Sequence, residues 1–323
     1  MKFNEFGKSY RNIPLSLYNT FGIGGNADIF VEVATKDELK DALFFAIQNN
    51  IPYYILGGGT NVLASDEGFN GIVIKIKIQD ISFNYDKKYA IVGAGVPMGA
   101  LLNKAKNLGL SGLEWAAGLP GTLGGAIFGN AGSCGGSIAD NIDFVEVLDP
   151  TTMTFKCITL DECNFKYRSS NFKKNGLIII GAMLKLRDND SVEIMNKMSE
   201  NMLFRRNHQP LSERSEGCVF KNVDLSERRD IPLDIWSGIP EFSVFVKKGV
   251  VPAGFLIDRA GLKEFKIGGA KISDRHANFI VNEDNAKAKD IYDLIYEVKK
   301  RVKEKFMVEL EEEVQFIGFK NKI

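Results

Sequence analysis

Apolar and polar positions alternate at strand spacing over Asp28–Val33 (DIFVEV), then switch to helical spacing at Leu39, Ala42, Leu43, Ala46 and Ile47. Thr35 and Glu38 stand just ahead of that stripe as a capping box, in which each side chain satisfies a backbone N–H beside the other. Asn49–Pro52 closes the helix. Pro52–Leu56 (PYYIL) reads as a strand running straight into Gly57-Gly58-Gly59-Thr60-Asn61, and Ile72–Ile76 as another. This β-α-β-β pattern, about 80 residues long, predicts a small α/β lobe.

A second lobe is expected from Tyr85 onward. Tyr89–Val92 is a strand ending at Gly93-Ala94-Gly95; Pro97 suits the first turn of a helix whose apolar face is Leu101, Leu102, Ala105 and Leu108. Strands follow at Val145–Leu148 and Ile178–Leu186, then a helix over Ser191–Asn207 that ends in Arg205-Arg206. A third region begins near His208. It holds Cys218-Val219-Phe220, an irregular stretch Val223–Pro252 in which Ile239–Val251 is strand-like, a helix from Phe255–Ala260 and a strand at Phe279–Asn282. Ile291, Leu294, Ile295, Val298, Val302 and Phe306 form the single apolar stripe of a last helix, and Val314–Ile317 is a final strand.

Composition narrows the function classes. At 323 residues the chain is long enough for two domains of roughly 150 residues each. Lys plus Arg equals Asp plus Glu at 41 each, which argues against a global polycation and a nucleic-acid partner. No apolar run reaches the roughly 18 residues of a membrane helix, and MKFNEFGKSYRN has no apolar core of a signal peptide. Cys134, Cys157, Cys163 and Cys218 form no CxxC pair, and only His208 and His276 accompany them, so no metal site is expected. Reduced thiols in a cytoplasmic protein are the expectation.

Glycine is where composition points to chemistry. Eight of the 32 glycines fall in Gly118–Gly136 (GLPGTLGGAIFGNAGSCGG). Such a segment loses much entropy on folding, and a large flat ligand lying on bare backbone would offset that loss. Gly57–Gly59 after a strand can form a nest of N–H groups for a phosphate, with Thr60 and Asn61 adding side-chain donors; it is equally read as a tight turn. Neither a GxGxxG nor a Walker A pattern is present. Gly93-Ala94-Gly95 is a third such loop, and the three could converge on one extended dinucleotide. In Tyr167-Arg168-Ser169-Ser170 the arginine is either a surface charge or a planar fork for a carboxylate. Cys218, beside Gly217, is either an inert small hydrophobe or a reactive thiol. Glu311-Glu312-Glu313 reads as a solvated charge run that also sets one glutamate at a strand start.

Eleven segments, taken in order and spacing, resemble one family. They are Asn19–Gly25 (NTFGIGG), Leu56–Asn61 (LGGGTN), Asp66–Phe69 (DEGF), Gly118–Ala126 (GLPGTLGGA), Asn130–Gly132 (NAG), Tyr167–Phe172 (YRSSNF) and Gly217–Asn222 (GCVFKN). The tail adds Ala253–Ile257 (AGFLI), Gly261–Lys263 (GLK), Ile267–Ala270 (IGGA) and Ser273–Phe279 (SDRHANF). From Asn19 to Gly318 the chain resembles the UDP-N-acetylenolpyruvoylglucosamine reductases, flavoenzymes of peptidoglycan precursor synthesis.

The resemblance implies an α+β fold: a two-lobed FAD-binding domain of the vanillyl-alcohol-oxidase/PCMH type plus a C-terminal α+β substrate-binding domain. Residues 1–84 would be lobe 1, joined by a C-terminal strand within 310–323; residues 85–207 would be lobe 2, and 208–309 the substrate domain. The short spacing from Tyr167 to Cys218 is similar to the class lacking the extra tyrosine-bearing loop. The implied reaction takes hydride from NADPH through FAD to the enolpyruvyl double bond of UDP-N-acetylglucosamine enolpyruvate, a nucleotide-sugar substrate, giving UDP-N-acetylmuramate.

Three residues match catalytic positions of that family. Arg168 would stabilise the enolic carboxylate, Glu313 would polarise that intermediate or relay a proton, and Cys218 would deliver the proton. The resemblance assigns FAD to Gly57, Gly58, Gly59, Thr60, Asn61, Val62, Leu63, Pro120, Gly121, Thr122, Gly124, Gly125, Ala126, Asn130, Ala131 and Gly132. It gives the substrate Tyr167, Arg205, His208, Lys221 and Asn222, with Arg206 as a further candidate for its pyrophosphate. Serine is the common residue where Cys218 stands; a thiol, with a reference pKa of about 8.5, is the stronger acid. Val223 stands where the family has proline, and Val223–Pro252, with Ser226–Asp230 charged, is longer than the common form. That segment is read as a surface insertion or a hairpin beside the substrate. Competing readings are an FAD-dependent oxidase or dehydrogenase acting on another small substrate, and a flavin-binding protein without turnover.

Overall fold

Thr35 caps the helix Lys36–Gln48 as its local sequence dictates: Thr35 Oγ1 accepts the Glu38 N–H at 3.1 Å and Glu38 Oε2 accepts the Thr35 N–H at 3.2 Å. Leu39, Ala42, Leu43 and Ala46 are the face it buries. The computed structural model of the chain describes residues 6–226, 236, 238–239 and 241–320. They divide into two compact units. The first runs up to Ile13 and adds Asn26–Gly59 and Phe69–Asn207; the second holds Pro14–Gly25, Thr60–Gly68 and the chain from His208 onward.

Two sheets build the first unit. In one, Asn26–Val33 and Tyr53–Leu56 flank Phe69–Ile76 in parallel, and Lys8–Pro14 lies outside Asn26–Val33. The other is antiparallel, in the order Thr154–Thr159, Ile142–Asp149, Ile178–Lys185, Tyr89–Gly93, Ile81–Asn84. A single apolar cluster, from Phe6 and Val31 to Leu184 and Leu186, serves both.

In the second unit, Lys266–Ile267, Ala270–Ile272 and Ile280–Asn282 form a small antiparallel sheet. The helix Ala288–Phe306 buries Ile291, Leu294, Ile295, Val298, Val302 and Phe306, the stripe its sequence marks. Gln315–Ile317 pairs in parallel with Val62–Ala64. That pairing, with Leu15 N–H on Gly25 O (2.9 Å) and Gly25 N–H on Ser65 O (2.8 Å), explains a difference from the expected boundaries. Residues 14–25 and 60–68, expected within 1–84, pack with the second unit.

The strand-like reading of Ile239–Val251 is corrected. Phe242–Lys248 is a helix ending at left-handed Gly249 (φ +70°), and only Val250–Val251 is extended, paired with Val223–Asp224. The Val-Phe-Val run alternates like a strand, but Phe242 is buried while Val244 and Val246 are exposed. Of Ser226–Asp230, residues 227–230 lie outside the described residues. Trp236 anchors the segment. It is buried, donates Nε1–H to Phe306 O at 3.1 Å, and meets Phe242 edge-on at 4.0 Å. The segment therefore carries its own piece of core. Trp236→Ala should destabilise the second unit by about 3–5 kcal/mol in chemical denaturation.

Among the described residues no helix is long and apolar enough to cross a membrane, and no cluster of His, Cys, Asp and Glu could hold a metal ion.

Candidate active site

In the first unit the three glycine loops meet. A Cβ on Gly58 would stand 2.6 Å from Gly121 Cα, so only glycine lets these backbones approach. Gly124 N–H donates to Ala94 O at 2.9 Å, and Met98 N–H to Gly121 O at 3.0 Å. Thr122 sits at the junction, ahead of the helix Leu123–Gly129. Its buried Oγ1 does not cap that helix and has no hydrogen-bond partner among the described residues. A buried hydroxyl beside bare backbone is a donor waiting for a ligand acceptor. Lys75 Nζ donates to Gly57 O at 2.6 Å. Burial, then Lys77, pull its pKa down to about 8, and Glu32 opposes them.

Asn130–Gly132 and Tyr167–Ser170 are locked together. Asn130 Nδ2 donates to Lys166 O at 2.8 Å, Ser170 Oγ to Phe128 O at 2.7 Å, and Arg168 Nη2 to Gly132 O at 2.7 Å. Lys166 and Ser169 exchange backbone hydrogen bonds at 3.0 and 3.1 Å, leaving Tyr167 and Arg168 at the tip of a two-residue turn. Arg168 is left-handed there (φ +50°), where glycine or asparagine is the usual occupant. Its guanidinium lies 5.4 Å from the Tyr167 ring centroid. The side chain of Asn130 is thus engaged with the protein, whereas Pro120 and Gly125 are exposed.

In the second unit, Cys218 and Glu313 lie on adjacent extended segments. Cys218 bridges Phe279, Phe220 bridges Glu312, and Glu313 N–H donates to Val219 O at 2.7 Å. Both side chains are half-buried, and Cys218 is not in a disulfide. Asn61 Nδ2 donates to Glu313 O at 3.0 Å, and Gln315 N–H to Asn61 O at 3.0 Å. The glutamate run is not uniformly solvated: Glu311 pairs with Lys221, and Glu312, largely shielded, pairs with Lys299 at 2.5 Å.

The expected substrate residues are scattered more widely. Tyr167 and His208 are exposed, as is Arg206, whereas Arg205 is buried in the first unit, its Cδ 3.1 Å from where a Cβ on Gly118 would stand. Asn222 Oδ1 accepts the Ala253 N–H at 3.1 Å, fixing the start of the helix Ala253–Arg259.

Two buried polar residues that brace this region were given no role on the sequence alone. Asn278 brackets Phe220, its Oδ1 accepting the N–H at 3.0 Å and its Nδ2 donating to the C=O at 2.8 Å. Glu216, only 4% exposed, accepts the N–H groups of Thr20 (2.9 Å) and Phe21 (3.1 Å) on Oε1 and of Val62 (2.8 Å) on Oε2. Burial pushes its carboxyl up to about 8 against the downward pull of those donors.

Comparison with known proteins identifies the family. The sequence model of the UDP-N-acetylenolpyruvoylglucosamine reductase C-terminal domain matches residues 209–317, and that of an FAD binding domain matches residues 27–157. The chain is 35% identical over 319 residues to the UDP-N-acetylenolpyruvoylglucosamine reductase of Bacillus subtilis (strain 168), covering 98% of this chain and 97% of that protein. It is 39% identical over 310 residues to the reductase of the same name from Protochlamydia amoebophila (strain UWE25), covering 95% and 93%. The crystal structure of UDP-N-acetylenolpyruvylglucosamine reductase from Thermus caldophilus superposes with a TM-score of 0.75 at 34% identity, over 97% of this chain and 100% of that one. An FAD-binding domain followed by the reductase C-terminal domain, and end-to-end similarity, place the chain in the UDP-N-acetylenolpyruvoylglucosamine reductase family.

Proposed function

We propose that this chain, an FAD-dependent oxidoreductase, reduces UDP-N-acetylglucosamine enolpyruvate to UDP-N-acetylmuramate for peptidoglycan synthesis, with NADPH as reductant. The observation that carries this reading is similarity over nearly the whole length to reductases of that name. The first unit fits the cofactor. Its glycine loops present bare backbone, and the buried Thr122 hydroxyl supplies a donor that has no partner among the described residues. Gly57–Gly59, Pro120–Thr122, Gly124–Ala126 and Asn130–Gly132 of this unit, and Thr60–Leu63 of the second, are the residues we assign to it. When bound, FAD supplies hydride chemistry between NADPH and the enolpyruvyl carbon.

The protein's own residues handle charge and protons. Negative charge develops on the substrate carboxylate as hydride arrives at the terminal carbon, and Arg168 offers a planar fork of donors to it. Glu313 supports that charge shift. The adjacent carbon needs a proton, which we assign to the Cys218 thiol. Tyr167, Arg205, His208, Lys221 and Asn222 are the residues we assign to the nucleotide-sugar, in the cytoplasm.

The test is NADPH consumption by purified, flavin-loaded protein with and without UDP-N-acetylglucosamine enolpyruvate. Strong substrate-dependent consumption is expected. A yellow protein that takes hydride from NADPH but ignores the substrate would overturn the substrate assignment. A protein that cannot be loaded with FAD would overturn the reading at its base.

A further inference from the structure

Asn19–Gly25, a motif of the family, is assigned to neither cofactor nor substrate. Asn19 braces that loop from within. Its Nδ2 donates to Leu15 O (2.8 Å) and Ile23 O (2.7 Å), and its Oδ1 accepts the Gly22 N–H (2.9 Å). The braced loop turns the N–H groups of Thr20 and Phe21 outward to the Glu216 carboxylate, and Thr20 Oγ1 donates to Ser215 O at 2.6 Å. Glu216 takes its third N–H from Val62, in the loop assigned to FAD.

The connections close on themselves. From Val62 the path runs through Glu216 and along the chain, turning at left-handed Gly217 (φ +84°), to Cys218 and Val219. Val219 O receives the Glu313 N–H, and Glu313 O receives Asn61 Nδ2, next to Val62. Both residues assigned to proton chemistry, and the loop assigned to the cofactor, thus belong to one ring of hydrogen bonds. Its only side-chain members are Asn61 and Glu216.

We infer that Glu216 is a positioning residue of the reductase: its side chain sets the Cys218 segment against the 60–63 loop. A carboxyl group offers two oxygens to the three N–H donors, and both can accept whether or not the group holds the proton that burial favours below about pH 8; an amide offers only one. A glutamine of the same shape would oppose its own NH₂ to the Val62 N–H, or lose Thr20 and Phe21 instead. The inference rests on the reductase reading for its consequence in turnover, and on geometry alone for its consequence at the thiol.

Glu216→Gln and Glu216→Asp test it in the flavin-loaded full chain. Rapid mixing follows flavin reduction by NADPH and flavin reoxidation by UDP-N-acetylglucosamine enolpyruvate separately. Iodoacetamide labelling of Cys218, read by peptide mass, follows thiol placement without turnover. In Glu216→Gln, reduction by NADPH should stay within about twofold of wild type, reoxidation should slow at least tenfold, and Cys218 labelling should change at least threefold. Glu216→Asp should lie between the two. A merely structural role would lower thermal stability and slow both half-reactions by one common factor, and that result would overturn the assignment, as would unchanged labelling with unchanged rates. If Glu216→Gln does not fold, amide hydrogen exchange of Thr20, Phe21 and Val62 in the wild type decides, with fast exchange overturning the clamp. A wild type inert to the enolpyruvyl substrate would sink the reductase reading while the labelling comparison still judges Glu216.

Discussion

Cys218→Ala should reduce its flavin with NADPH at close to the wild-type rate and then fail to pass the hydride on. The loss expected in the substrate half-reaction is roughly 10²–10⁴-fold, the range that a well-placed general acid contributes. The reasoning is local. The backbone of residue 218 is held by the Phe279 bridge and, through Val219, by Asn278 O (2.8 Å) and the Glu313 N–H, none of which involves the thiol. Truncation therefore removes the proton source and leaves the frame. Cys218→Ser should restore turnover to within about tenfold, since a hydroxyl donates from the same atom position. Measuring flavin absorbance after mixing with each partner in turn checks both variants. Wild-type reoxidation in Cys218→Ala would remove the residue from the mechanism.

Arg168→Ala should lower the substrate half-reaction by about 10²–10³-fold, the cost of removing one donor from a developing oxyanion. Because residue 168 is left-handed, three replacements separate chemistry from backbone. A non-glycine residue costs on the order of 1 kcal/mol in that conformation. Arg168→Gly should thus be as inactive as Arg168→Ala yet melt higher. Arg168→Lys keeps the charge but not the fork that binds Gly132 O, and should recover only part of the rate. Equal activity of wild type and Arg168→Ala would show the arginine to be a turn residue and nothing more.

How far the sequence could be read depends on the reach of each interaction. The helix Lys36–Gln48 was legible because its cap and its stripe lie within one segment. The glycine loops were legible because so costly a composition calls for a compensating contact. The meeting of Gly57 and Gly58 with Gly121 and Thr122 was not, since it joins loops more than 60 residues apart in sequence. The helix Phe242–Lys248 hid behind a β-branched alternation that its packing at Phe242 and Phe245 overrides. Glu216 left no trace at all. Its three donors lie 154, 195 and 196 residues away, and nothing in Ser215–Gly217 distinguishes a buried clamp from a surface glutamate.

The parallel pairing of Val62–Ala64 with Gln315–Ile317 has a consequence for how the protein is made. Asn61 and Glu313 are 252 positions apart, so the frame around Cys218 is among the most non-local pieces of the fold. On the ribosome, Val62–Ala64 emerges early and waits as an unpaired strand edge until Gln315–Ile317 has followed. Such long-range pairings close slowly, and open edges invite strands of other chains meanwhile. A nascent or truncated chain that lacks residues 313–317 has neither Glu313 nor the strand that pairs with Val62–Ala64, and so cannot close the frame around Cys218.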